Sequence, residues 1–479
     1  MHQKSLVLAL GIALALASAV ARSENLMEVY QAAAKSDPKI LEADARRLAA
    51  LEAKPQARGA LLPQLSATGN YATRNSESNS NFPQAVDVDS DPTTPPEVVI
   101  VRNKQETDSD FWNVQGELRQ SVFNWAQWQT LKRADSEVAL AEANYRAAQQ
   151  DLLVRVAGRY FDVLAAEDTL TSAEATLQAV TRQLEQSEKR FEVGLIAITD
   201  VQEARAAHDN ATAGVILAKR SLATAEEYLR ELTGEDYAVL SKPADDMPMN
   251  EPQPVSEDDW VERANNQNLN VIAARLDTDI AKDNIKIAQS GHMPTVDLVG
   301  QYNKYDQTAT QTNNGLTGLA DSDQTADQIG LQVTLPIFSG GVVSSQVRQQ
   351  VYLHRAALER LEGALRQAER ETRDSFLGVI AEKARVQALK QAVKSNQTAL
   401  EATEAGFDVG TRTTVDVLDA RRRLFEAERD YARSRYDYLI NVVRLKSAAG
   451  VLVPGDLGTI NDSLTTPTTL KQTRPSPSG

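Results

Sequence analysis

The sequence predicts an α+β protein in which long helices alternate with pairs of amphipathic strands, and in which several chains assemble. Three observations lead to this fold class: a duplicated unit, strands with one apolar face, and helical stripes too long for a compact domain. The chain of 479 residues contains no cysteine and carries a net charge of −15. The acidic balance argues against nucleic acid as a partner, and the lack of thiols excludes disulfides and thiolate metal sites.

The N-terminus predicts a secretory signal peptide over residues 1–21. Lys4 precedes an apolar run from Leu6 to Leu16, and the small residues before position 22 match a cleavage site. No later run of about 18 apolar residues exists, which excludes a helical membrane span. A mature chain that crosses a membrane must therefore cross it with β-strands.

An internal duplication organises the rest of the chain. The segment 191–205 aligns in register with the segment 407–421, and the same offset relates Gly234 to Gly450. The predicted organisation is a first repeat over residues 22–240, a Pro-rich linker over 241–255, a second repeat over 256–452 and a disordered polar tail over 453–479.

Each repeat holds two stretches in which apolar and polar residues alternate, a pattern typical of strands with one apolar face. These stretches lie near residues 64–74, 110–123, 295–305 and 327–338. Their length of about 10 residues suits a tilted strand in a bilayer. The polar segments Asn75–Asp108 and Asp306–Asp327 are predicted to be long loops at one end of the strands. A soluble β-sandwich also has alternating strands, but four strands complete neither fold, and a closed barrel needs about eight. Several chains must therefore contribute.

After each strand pair the hydrophobic spacing becomes three and four, as in helices that pack along their length. The first such helix is predicted from about Ala126 to Glu192, a length of about 100 Å at the helical rise. It must project from any compact domain. A second helix from about Asp200 to Leu232 returns half of that distance, and the shorter helices Leu26–Ala53 and Trp260–Ala288 could supply the remainder.

The turns at Gly194 and Gly410 resemble the helix–turn–helix tips of the TolC family, the outer membrane efflux proteins. The segments that carry the resemblance are 24–30, 194–205, 410–421 and 438–441, and it extends over the mature chain up to the tail. It implies a homotrimeric α+β membrane protein in the outer membrane that spans into the periplasm. Four strands per protomer would close a twelve-stranded β-barrel, which continues into a long α-helical coiled-coil barrel with a small mixed equatorial region.

The resemblance also implies the function and the partners. The protein would be a passive exit duct for tripartite efflux pumps and type I secretion, with a periplasmic adaptor, an inner-membrane drug exporter or ABC transporter, and outer-membrane lipid as partners. No cofactor, metal or catalytic residue is expected, because the four His are scattered and no catalytic motif is present. A periplasmic adaptor or a coiled-coil adhesin also has long helices after a signal peptide. An adaptor has one helical hairpin, however, and this sequence contains two.

Asp416 and Asp419 are the first candidate gate residues. They lie three apart near the start of a helix and therefore share one face. The resemblance places both at the periplasmic entrance, where rings of carboxylates attract cations. Acids in the first turn of a helix also stabilise its dipole, which is the simpler explanation for Asp416.

The turn before the first return helix supplies the partners of a proposed lock. Thr199 and Gln202 have the spacing of a capping box, with Thr199 as the N-cap. The resemblance implies that Arg412 reaches Thr199 and Asp200 and holds the tip closed. Phe407 stands where the family often has tyrosine, so a hydroxyl contact would be missing or replaced.

Gly194 and Gly410 are predicted to end their helices with a positive φ angle, which glycine adopts without strain. Together with Leu195 and Thr411 they form the tip turns that the resemblance assigns to contact with the adaptor. Their role would be to let the chain reverse sharply at the end of each hairpin.

Overall fold

The computed structural model describes residues 24–86, 95–244 and 247–469. The chain forms two compact units. One contains the described residues within 1–50, 139–278 and 357–479, and the other contains those within 51–138 and 279–356. The predicted signal peptide lies outside the described residues.

The elements are numbered in chain order. The helices are α1 Leu26–Ser36, α2 Pro38–Leu51, α3 Ala53–Gly59, α4 Trp125–Glu192, α5 Ile198–Thr233, α6 Glu257–Gln267, α7 Leu269–Gln289, α8 Val342–Asp408, α9 Thr414–Ala448 and α10 Pro454–Asn461. The strands are β1 Gln64–Val86, β2 Glu97–Phe123, β3 Val239–Pro243, β4 Thr295–Asn313, β5 Leu316–Thr334 and β6 Leu464–Thr469. In the part of the chain that the structure describes, no helix has the length and apolar character needed to cross a membrane.

Strands β1, β2, β4 and β5 form an antiparallel sheet in that order. The register places Leu65 opposite Leu118, Leu118 opposite Gly300, and Gly300 opposite Ile329. Because directly paired residues share a face, the four alternating stripes lie on the same face of the sheet. The other face is mainly polar.

The strands extend well past the predicted bounds. Most residues of the two polar segments that were expected to be loops lie in paired strands, with Asn75 opposite Asp108 and Asp306 opposite Asp323. The prediction of long loops was wrong because most of these residues are polar on both faces and the apolar run Val98–Val101 does not alternate, so no strand pattern marks them although their backbones pair. The β4–β5 hairpin closes instead at Asn314 and Gly315, whose φ angles of 50° and 87° suit a two-residue turn.

At its other end, β5 is shorter than predicted. It ends at Thr334, whereas the apolar alternation continues through Leu335 to Ile337. Pro336 has no N–H to donate to a strand ladder, which explains why pairing stops before it.

The first of the two units, which contains most of the long helices α4, α5, α8 and α9, has its core around one aromatic cluster. The rings of Tyr160 and Phe161 meet edge to face, and Phe161 stacks on Tyr436 with 5.7 Å between ring centres. All three side chains are buried. The Tyr160 hydroxyl donates to the Ser241 carbonyl at 2.7 Å, which fixes β3 against α4.

The segment predicted as a disordered tail is partly ordered, so that expectation was wrong for residues 454–469. Pro454 begins α10, as its fixed φ angle allows, and Leu457 and Ile460 are buried. Strand β6 then pairs antiparallel with β3. The low apolar content of the segment predicted disorder, but these two buried residues suffice to pack a short helix against the rest of the unit. Residues 470–479 lie outside the described part of the chain.

Two predicted helices are each divided in two. Pro38 separates α1 from α2, since proline disfavours a helical conformation in the residue before it. Asn268 separates α6 from α7, and its side-chain oxygen accepts from the amides of Asn270 and Val271. The segment predicted as a linker from residue 241 begins inside β3.

Candidate functional site: the two hairpin tips

The candidate gate residues fall on two short segments that close the long helical hairpins. We call residues 188–205, between α4 and α5, the first tip. Residues 404–421, between α8 and α9, are the second tip. Both belong to the same compact unit, and the repeat relates them position by position.

The first tip ends α4 with a left-handed glycine, as predicted. Gly194 has φ 75°. Its amide donates to the Phe191 carbonyl at 2.9 Å, and the Leu195 amide donates to the Arg190 carbonyl at 2.9 Å. This pair of bonds is the Schellman arrangement, which satisfies carbonyls at the end of a helix.

The second tip repeats this geometry. Gly410 has φ 78°, and its amide donates to the Phe407 carbonyl at 3.1 Å. The Thr411 amide donates to the Gly406 carbonyl at 2.8 Å. Both tips therefore present a short exposed turn made of the predicted residues, Gly194 with Leu195 and Gly410 with Thr411.

A full capping box begins the second return helix. The Thr413 hydroxyl accepts from the Asp416 amide at 3.2 Å, and the Asp416 carboxylate accepts from the Thr413 amide and hydroxyl, each at 2.9 Å. These bonds to the Thr413 backbone and side chain lower the pKa of Asp416, because they favour the ionised carboxylate. Asp416 is thus a capping residue as well as a candidate pore residue.

The first return helix begins differently from the prediction. Its N-cap is Ala197, with an extended backbone, and Thr199 lies inside the first turn. The prediction of a capping box formed by Thr199 and Gln202 was therefore wrong. The Asp200 carboxylate accepts from the Ala197 amide at 3.3 Å, whereas alanine has no oxygen to accept in return. Only half of a capping box is present.

One Arg–Glu contact that the sequence prediction missed is present in both tips. In the first tip, Arg205 Nη2 lies 3.0 Å from Glu188 Oε1. In the second tip, Arg421 forms the same charge-assisted hydrogen bond with Glu404. The repeat alignment already contained both arginines, and extending it upstream by a few residues would have found both acids. The pair holds the outgoing helix to the return helix in each hairpin.

The side chain of Arg412 packs against the backbone of α8 at Gly406. A Cβ atom built on Gly406 would lie 2.8 Å from Cγ of Arg412 and 3.2 Å from Oγ1 of Thr411. The Gly406 carbonyl accepts the amides of both residues. Cγ lies near the base of the arginine side chain, so a methyl group at position 406 would displace the whole side chain.

The structure brings some predicted gate residues together and not others. Asp416 and Asp419 lie on one face of α9, and Asp419 Oδ1 lies 3.1 Å from Arg422. Within the described protomer, no ion pair or side-chain hydrogen bond joins Arg412 to Thr199 or Asp200. The predicted contact thus stays a prediction about neighbouring chains or another state.

In residues 24–86, 95–244 and 247–469 no group of three or more His, Asp or Glu side chains could hold a metal ion. The chain contains no cysteine.

Comparison with known proteins identifies the family. The model of the outer membrane efflux protein family matches residues 29–235 and 260–451. The two matched segments end close to the left-handed glycines Gly234 and Gly450.

Curated relatives and solved structures agree with this match. The chain is 37% identical to the outer membrane protein TolC of Escherichia coli over 470 residues, which is 97% of this chain and 90% of that protein. It is 26% identical to the alkaline protease secretion protein AprF of Pseudomonas aeruginosa over 438 residues, 90% of this chain and 86% of that protein. The crystal structure of the outer membrane protein VceC from Vibrio cholerae has the same fold, with a TM-score of 0.68 at 22% identity over 89% of this chain and 96% of that one. The chain therefore belongs to the outer membrane efflux protein family and is a protein of the outer membrane.

Proposed function

We propose that three copies of this chain form an outer-membrane channel with a helical tunnel, through which a pump complex exports its cargo passively. The four-stranded sheet is the observation that carries this proposal. Its apolar face is exposed in the protomer, with Leu65 80%, Ile329 76% and Leu331 67% accessible. Such a face needs lipid or another protein to cover it.

The edges of the sheet require further copies. In the described chain β1 pairs with β2 and β5 pairs with β4, so each has one free edge. Free edges cannot remain in a bilayer, and a closed barrel needs about eight or more strands. Three copies would supply twelve strands. The opposite face carries Arg119 and Asp297, joined at 2.6 Å, and suits a water-filled lumen.

The two tips are the proposed gate. In a trimer, Asp416 and Asp419 form rings of carboxylates at the narrow end of the tunnel, where they favour cations. Arg412, held on Gly406, would reach the Thr199–Asp200 turn and keep the rings close together. The exposed turns Gly194–Leu195 and Gly410–Thr411 would contact the adaptor.

The partners follow from the same proposal. A passive duct needs an energised transporter in the inner membrane and a periplasmic adaptor to join the two. One relative is named for secretion of an alkaline protease and another, SrpC of Pseudomonas putida, for solvent efflux. We therefore infer that the inner-membrane partner is either an ABC transporter or a drug exporter.

Fractionation and electrophoresis test the assembly. The full-length protein should be recovered in outer-membrane fractions, migrate as a trimer when unheated and as a monomer after boiling, and form channels in planar lipid bilayers. Recovery as a monomer in the periplasmic fraction, without channel activity, would overturn the proposal.

A further inference from the structure

One position distinguishes the two tips although its neighbours match. Arg190 in the last turn of α4 corresponds through the repeat to Gly406 in α8, while the phenylalanine, valine and glycine that follow are the same in both copies. A glycine at 406 leaves room for Arg412. Arg190 has no such neighbour to accommodate, so its long charged side chain can make contacts of its own.

The Arg190 side chain crosses from the first tip to the second. Its guanidinium carbon lies 4.6 Å from the centre of the Phe407 ring, within the range of a cation–π contact. Its Nη2 atom also lies 3.8 Å from Oδ1 of Asp408. The Arg190 side chain is 29% exposed, whereas that of Asp408 is 71% exposed. The guanidinium is therefore partly shielded from water, which strengthens its attraction to the ring.

Phe407 also packs within its own hairpin. Its ring packs against the apolar cluster formed by Leu400, Val417, Ala420 and Leu424, which joins α8 to α9. The ring is thus part of the second hairpin, and Arg190 contacts it from the first. Separating the two tips would break the cation–π contact and the ion pair together.

We propose that Arg190 is a positioning residue of the gate: it ties the second tip to the first within one protomer, through Phe407 and Asp408, in the closed state. This inference rests on the proposed function, because it adds a restraint to a gate at the tips. It also assigns Phe407 a role that needs no hydroxyl group. Opening then requires Arg190 to leave the ring.

Single-channel conductance in planar bilayers tests the tie. Arg190→Gln should raise the conductance of the closed channel several-fold, and Arg190→Lys should raise it less, because lysine keeps the charge but loses the planar group. Arg182→Gln is the matched control. It removes the same charge from the same helix two turns earlier, at a residue without such contacts, and should leave the conductance unchanged.

A double-mutant cycle tests whether Arg190 acts through the ring. Phe407→Leu keeps an apolar side chain in the cluster but removes the aromatic face. The variant with both Arg190→Gln and Phe407→Leu should conduct no more than the stronger single variant. A trimer on unheated gels confirms that each variant has folded, and Arg190→Lys with Phe407→Leu still tests the tie if Arg190→Gln does not fold.

The outcomes separate this inference from the proposed function. Wild-type conductance in Arg190→Gln, or additive effects in the double variant, would overturn the tie while Arg412→Ser still opens the channel. If Arg412→Ser also conducts like the wild type, the gate at the tips itself is wrong.

Discussion

The first and second tips share a backbone plan and differ in the side chains placed on it. Both end the outgoing helix at a glycine with φ near 75°, and both carry an Asp at the third helical position of the return helix. Both also join the two helices through an Arg–Glu pair. The duplication has kept the residues that determine where the chain turns.

The differences concern the capping and charge of the turn. The second tip has Thr413 as N-cap and Arg412 before it, where the first tip has Ala197 and Ile196. The second tip therefore holds a complete capping box and a cation seated on glycine. This comparison teaches that two copies of one hairpin can keep the same backbone geometry while only one of them carries the capping box and the arginine of the proposed gate.

The largest expected effect is at Arg412. Arg412→Ser should raise the conductance in planar bilayers several-fold, because the proposed contacts of Arg412 with the Thr199–Asp200 turn would be lost, and a charge-assisted hydrogen bond contributes about 1.5–3 kcal/mol. Ile196→Ser changes the equivalent position of the first tip and should have little effect. Equal effects of the two substitutions would mean that the tips are not specialised.

Gly406 should be the next most sensitive position. Gly406→Ala places a methyl group 2.8 Å from Cγ of Arg412 and should raise the conductance by displacing that side chain. Gly363→Ala, also within α8 but with open space around the new Cβ, should not raise it and should stabilise the helix by about 0.5–1 kcal/mol. In an Arg412→Ser background, Gly406→Ala should add nothing, and a further increase would contradict the seating of Arg412.

The capping difference predicts a smaller and local effect. Thr413→Ala removes the N-cap of α9 and should lower the stability of that helix start by about 1 kcal/mol. Thr199→Ala lies inside the first turn of α5 and should cost less than about 0.5 kcal/mol. Hydrogen exchange of the amides at residues 414–417 and 198–201 measures both, and equal losses of protection would show that the caps do not differ.

The smallest expected effect depends on pH. The pKa of Asp416 in the folded tip is below its ordinary value, so the stabilisation is present above the unfolded pKa and is lost as the pH falls through the folded pKa. The protection of the amides at residues 414–417 against hydrogen exchange, corrected for the intrinsic exchange rate, should therefore decrease as the pH is lowered through the lower part of the usual pKa range of aspartate. Thr413→Ala removes the hydroxyl bond to the carboxylate but keeps the backbone bond, so it should weaken this dependence only in part. Protection that does not decrease on acidification in the unsubstituted protein would contradict the capping bonds.

The sequence predicted most of the architecture because its signals are periodic or repeated. The stripes of α4 and α8, the four strands and the glycines at 194 and 410 all follow from local spacing. The strand extensions could not be predicted, because residues such as Asn75 and Asp108 are polar on both faces and pair through their backbones.

Parts of the tips escaped prediction for a different reason. The N-cap of α5 is Ala197, whose side chain cannot accept a hydrogen bond and therefore gives no capping signal in the sequence. The nearby Thr199 was predicted as the N-cap instead. The contact of Arg190 with Phe407 joins residues far apart in the sequence and depends on how the two hairpins pack. Helix α10 was missed because composition outweighed two buried apolar residues, Leu457 and Ile460.

Cation selectivity of single channels tests the specialised second tip most directly. Replacing Asp416 and Asp419 together with Ala should raise the conductance and lower the preference for cations, since the substitution would remove the proposed carboxylate rings from the proposed constriction. Replacing their repeat equivalents in the first tip, Asp200 and Glu203, should weaken the lock but leave the cation preference as it is. The account predicts this difference. Loss of selectivity in the first-tip variant, or unchanged selectivity in the second-tip variant, would contradict it.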